Sequence, residues 1–123
     1  MIDNFINKDK EIFTLDANMP VEGYKSIIKK YKRKKFFVES EGHIIGVAFH
    51  RELLTALLDK KDSLIFQHTK KAILVSTNTT LVDIIVAMEK EKYSQAIILD
   101  GQEEPIGILS KKDIYLLLTK RDQ

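Results

Sequence analysis

A displaced copy of the chain's own apolar pattern is the feature that most limits how it can fold. Gly46, in Ile44-Ile45-Gly46-Val47-Ala48, and Gly107, in Pro105-Ile106-Gly107-Ile108-Leu109, stand 61 residues apart. Sliding the chain by that distance without a gap lays Ile12–Leu15 on Ile73–Ser76 and Val21 on Val82. It also lays Phe36–Val38 on Ile97–Leu99 and Leu53–Leu54 on Ile114–Tyr115. Identities are few, but four apolar blocks coincide at one offset. Self-similarity of this kind marks a duplicated structural unit.

Each unit reads as strand, helix, strand, turn, strand, helix. In the second, Ala72–Val75 is a short run rich in strand formers. Thr79 or Thr80 can cap a helix whose apolar face carries Leu81, Ile84, Ile85 and Met88 at helical spacing. Ala96–Leu99 is too short for a helix, Asp100–Glu104 is a polar turn, and Pro105 suits the edge opening of the next strand. Ile114, Leu117 and Leu118 mark a closing helix. In the first unit Met19-Pro20 opens a helix with the face Val21, Tyr24, Ile27, Ile28 and Tyr31, proline being tolerated at a first helical position. Glu41-Gly42 makes the turn. The strands are apolar on both faces, so both faces must be covered.

A lone unit of about 50 residues is marginal, whereas two can share burial. The fold expected is therefore mixed α/β (α+β), two tandem β-α-β-β-α repeats about a pseudo-twofold axis, with the sheets packed together and the helices outside. The division expected is residues 1–61 and residues 62–123, the second with a connector docked through Leu64-Ile65-Phe66.

Composition excludes several functions. The 123 residues contain no cysteine, which removes disulfides, thiolate metal sites and cysteine nucleophiles. His43, His50 and His68 fall at unrelated positions without metal-ligand spacing, so no metal site is expected. No phosphate loop, dinucleotide fingerprint or nucleophile elbow is present, and no catalytic residue is assigned. No stretch approaches the ~20 apolar residues of a membrane span, and residues 1–11 lack an apolar signal core. A cytoplasmic protein is expected. Net charge is only +2, which disfavours nucleic acid as a partner. Lys29–Lys35 nevertheless holds six basic residues in seven. It reads as a solvated helix end, as an edge for phosphate or an acidic partner, or, with least support, as a nucleic-acid contact.

The duplicated unit, together with Gly107-Ile108-Leu109-Ser110-Lys111-Lys112-Asp113 leading into the last helix, resembles the CBS domain. A pair of these domains is called a Bateman module. The resemblance covers about Lys10 to Thr119. It implies a regulatory module rather than an enzyme, one that takes AMP, ADP, ATP or S-adenosylmethionine between its repeats and passes a conformational change to an effector protein. It implies no required cofactor. Carried over residue by residue, Gly107, Ile108, Ser110, Lys112 and Asp113 match the family's ribose- and phosphate-binding motif. Ile12, Phe13 and Lys35 would complete that cleft from the partner repeat, where Phe13 is bulky for the family. The simpler reading is that Ser110 caps the helix and Asp113 adds acid to its first turn.

The first repeat departs from the motif. Phe49 stands in place of the hydroxyl and Glu52 in place of the aspartate, so a second cleft with Thr69, Ala72 and Leu74 is expected to be empty or altered. Leucines on several faces of the closing helices (Leu53, Leu54, Leu57, Leu58 and Leu116–Leu118) point to a homodimer. The alternatives are a ligand-free scaffold or a regulatory piece of a larger enzyme or transporter.

Overall fold

The computed structural model describes residues 14–121. Two compact units part at Lys70/Lys71, not at 61/62. The connector belongs to the first unit because Ile65 is fully buried in that unit's core and the chain after it adds a strand to that unit's sheet.

The first unit has a four-stranded sheet in the order β1 (Thr14–Asp16), β2 (Lys35–Ser40), β3 (His43–Phe49) and β4 (Thr69–Lys70). β1 runs parallel to β2, and the other neighbours are antiparallel. Between β1 and β2 the chain crosses over through a 3-10 turn at Val21–Gly23 and helix α1 (Tyr24–Lys30). Pro20 stays extended and bridges to Leu64 instead of entering the helix. Helix α2 (His50–Asp59) closes the unit. The second unit repeats this with three strands, β5 (Ile73–Ser76), β6 (Gln95–Leu99) and β7 (Pro105–Ser110), with α3 (Leu81–Glu91) as crossover and α4 (Lys111–Arg121) at the end.

Each unit has its own core. In the first, Leu15, Val21, Tyr24, Phe36, Val38, Ala48 and Leu53 pack together. In the second, Leu81, Ile84, Met88, Ala96, Ile98, Leu109 and Ile114 do so. Phe37, Val47 and Ile97, which point to the opposite sheet faces, are also buried, as strands apolar on both sides require.

The strand registers correct the ungapped repeat. Phe36 pairs Ala48 and Val38 pairs Gly46, while Ala96 pairs Leu109 and Ile98 pairs Gly107. The offset is therefore 60 residues up to the hairpin and 61 beyond it. Leu81, at 6% exposure, is the counterpart of the fully buried Val21, whereas Val82 is 54% exposed. Likewise Phe36–Val38 correspond to Ala96–Ile98. The extra residue lies in the second hairpin turn: Ser40 and His43 flank the two-residue Glu41-Gly42 turn, whereas Asp100 and Glu104 flank a three-residue one.

Candidate functional site

The motif residues of the second unit sit where β7 turns into α4. Ser110 ends the strand and its Oγ accepts from the Asp113 backbone N–H at 3.0 Å, while Asp113 Oδ2 accepts from the Ser110 N–H at 2.9 Å. This reciprocal pair satisfies two donors that a helix start leaves open. The capping reading is thus present in full, and it uses one carboxylate oxygen. No donor among the described residues reaches Asp113 Oδ1. The Lys111 N–H donates to the Ser94 carbonyl, locking the helix start to the head of β6. Gly107 is buried and Ile108 half-buried along β7, while Lys112 is exposed on α4. Lys111 Nζ lies 3.0 Å from Glu89 Oε1. With Tyr115 OH donating to the same oxygen, this contact lowers the Glu89 carboxyl below its ordinary range.

Across the ladder from Ser110 lies Gln95, a residue that no motif or periodicity singles out. Its side chain is 6% exposed, and its Oε1 is buried without a hydrogen-bond partner. A strand residue equivalent to Lys35 would have exposed it, but the ungapped offset matched Lys35 to Ala96.

The corresponding corner of the first unit is built differently. Lys35 pairs Phe49 across the ladder, and the Nζ atoms of Lys35 and Lys70 each lie 5.7 Å from the Phe49 ring centroid. Lys70 also reaches Glu52 at 3.4 Å. Thr69 pairs Ala48 on β4, the strand that delivers Lys70. Gly46 is required here, since a Cβ on it would run into the Lys70 carbonyl and Thr69 Cγ2. Thr69 thus lies beside the Phe49/Glu52 corner, whereas Leu74 belongs to β5 and Ala72 immediately precedes that strand. Ile12 and Phe13 lie outside the described residues.

Below this corner a groove of about 360 Å³ runs along α2, lined by Arg51, Glu52, Thr55, Asp59, Lys60 and His68 among others. In the basic run, Lys29, Lys30, Lys32 and Lys34 are exposed around the end of α1. His50 Nδ1 is 2.6 Å from Tyr24 OH, and His68 Nε2 is 2.7 Å from Ser63 Oγ. Among the described residues no helix is long and apolar enough to cross a membrane.

The CBS domain family model matches residues 65–120. Over 109 residues the chain is 30% identical to the UPF0053 protein YhdP of Bacillus subtilis (strain 168), covering 85% of this chain and 24% of that protein. The chain therefore spans about a quarter of that relative's length. A crystal structure of a hemolysin-like protein containing a CBS domain, from Oenococcus oeni PSU, superposes with a TM-score of 0.69 at 17% identity, covering 92% of this chain and 85% of that one. The CBS domain of the bacterial CNNM/CorC family Mg2+ transporter in complex with ATP superposes at 0.67 and 16% identity, covering 96% and 86%. At such identities the likeness shows the fold. Residues 65–120 thus match the CBS domain family, the first unit repeats the element order and strand register of the second, and the chain has the fold of a tandem CBS pair.

Proposed function

We propose that the chain is a regulatory module that binds an adenosine-containing ligand, AMP, ADP, ATP or S-adenosylmethionine, at the Ser110–Asp113 corner and signals occupancy to an effector protein. The observation that carries this reading is the Oδ1 of Asp113, which no donor among the described residues reaches, on a carboxylate held in place by the cap at a helix start beside Ser110. Such a carboxylate can accept ribose hydroxyls, and the α4 N-terminus and Lys112 favour a phosphate. The ATP complex of the transporter CBS domain, and the transporter origin of that neighbour, support a nucleotide and an effector of this kind. Nucleotide sensing places the module in the cytoplasm, with regulation rather than catalysis as its role. The first-unit corner takes no nucleotide, because Lys70 already occupies Glu52 and Phe49 has no hydroxyl to offer. Two copies associate through exposed apolar residues on the closing helices, Leu54 and Leu58 on α2 and Tyr115 and Leu116 on α4.

A ligand-free scaffold is the second reading, favoured by the mutual satisfaction of Ser110 and Asp113. Calorimetric titration with the four ligands separates them. One ligand should bind per chain, and saturating ligand should raise the melting temperature by mass action. Asp113→Asn keeps an acceptor for the Ser110 N–H, so the fold should hold while affinity falls at least tenfold. Absence of heat and of any melting shift with all four at millimolar concentration would leave the scaffold.

A further inference from the structure

We propose that Gln95 is a ligand-gated acceptor, a buried amide oxygen that is unpaired in the ligand-free chain and accepts a ribose hydroxyl when nucleotide binds. The proposal rests on the nucleotide reading above and adds a binding residue and a source of coupling to it.

The two repeats solve the same structural position in opposite ways. Gln95 and Ser110 are direct ladder partners, as Lys35 and Phe49 are in the first unit. Partners of this kind project their side chains from the same sheet face, roughly 5 Å apart at Cβ. In the first unit the position is closed: Lys35 and Lys70 lie over the Phe49 ring, and Lys70 pairs with Glu52. In the second, Ser110 and Asp113 bond each other, and Gln95 Oε1 is left out. It is the one buried side-chain polar atom without a partner among the described residues.

Buried acceptors are nearly always paired, because an unpaired one forfeits its water and gains nothing in return. A partner from outside the chain is the economical explanation. The neighbouring groups indicate its chemistry. Gln95, the ladder partner of Ser110, and Asp113, which caps the helix with it, each carry an acceptor oxygen that no donor among the described residues reaches, a set that complements the paired hydroxyl donors of a ribose rather than a phosphate. Because Oε1 is shut off from solvent, ligand entry must uncover it. The unpaired oxygen therefore penalises only the ligand-free arrangement, which is the differential term a ligand needs in order to shift a conformational equilibrium.

The test uses Gln95→Met, which keeps length and removes the polar atoms, with AMP as probe. Relief of an unpaired buried group should raise the melting temperature of the free protein by about 3 °C, while loss of the hydroxyl contact should weaken AMP about tenfold. Both 2′-deoxy- and 3′-deoxy-AMP should bind the native chain about tenfold less tightly than AMP; in the variant the loss should vanish for the analogue lacking the hydroxyl held by Gln95 and remain for the one lacking the hydroxyl held by Asp113. A variant more stable but unchanged in AMP affinity would overturn the role of Gln95 while leaving the Asp113 site standing. A variant less stable would mean Oε1 has a partner within the protein, and would also overturn it. Penalties for both deoxy analogues that persist undiminished in the variant refute the ribose contact of Gln95. If the native chain binds none of AMP, ADP, ATP and S-adenosylmethionine, this inference and the function it rests on fall together.

Discussion

Tyr24 shows how much one side chain can carry here. It is fully buried in the first core, stands edge-on to Phe36 at 5.4 Å and places its hydroxyl 2.6 Å from His50 Nδ1. It thereby ties α1 to the first residue of α2. Burial opposes the phenolate and pushes the Tyr24 pKa up to about 12. A raised pKa means that the folded state holds its proton more tightly than the unfolded chain, whose tyrosine titrates near 10. The stability this confers is complete below pH 10 and is lost as pH rises through 12. Tyr24→Phe should cost about 1 kcal/mol at neutral pH, and its melting temperature should fall less than that of the native chain between pH 10 and 12. Equal alkaline slopes in the two proteins would contradict the assignment. The helical spacing made Tyr24 legible as a core residue, but nothing in the sequence pairs it with His50, 26 positions away. Gln95 was illegible for a related reason, since its significance lies in a cross-strand neighbour and a missing bond.

Among the elements, α3 is the best specified by local chemistry. Thr80 is its N-cap, with Oγ1 accepting from the Asp83 N–H at 3.1 Å, one of the two threonines expected from the sequence. Its other end carries a conflict: Lys92 is the C-cap at φ 62°, a left-handed conformation that suits glycine. The two ends should respond with opposite signs in urea unfolding. Thr80→Ala should lose about 1 kcal/mol, and Lys92→Gly should gain about 0.5–1 kcal/mol. The hairpins explain where the repeat was misread. Glu41 and Gly42 both have positive φ, as a tight two-residue turn requires, whereas the second turn is one residue longer and rests on Asp100 Oδ1, which accepts from the Gln102 and Glu104 N–H groups. Polar turn residues carry no apolar periodicity, so a shift drawn from apolar blocks passes over a single inserted residue.

At the scale of the whole chain, the described residues form two units, each with its own apolar core. The apolar side chains left outside those cores bear on assembly. Leu58 is 87% exposed on α2, four residues after the partly exposed Leu54, and an aliphatic stripe of this kind on a closing helix fits the proposed association of two copies. Sedimentation equilibrium should give twice the chain mass for the native protein, and Leu58→Glu should weaken self-association at least tenfold without lowering the melting temperature of the dilute chain. A native chain that sediments as a monomer at high micromolar concentration would remove the dimer.

The sequence by itself determined the architecture. Apolar periodicity, capping residues and turn residues are local signals, and their duplication sufficed to set out two β-α-β-β-α units and the Gly107–Asp113 motif. Tertiary structure alone decided the registers, the attachment of the connector to the first unit and the contents of the two corners. Ladder pairing brings residues together across tens of positions, and packing decides whether a polar atom keeps its water or finds a partner. Lys70 closing over Phe49 and Glu52, and Gln95 buried beside Ser110 with its oxygen unpaired, are products of that long-range pairing, and no window of sequence encodes them.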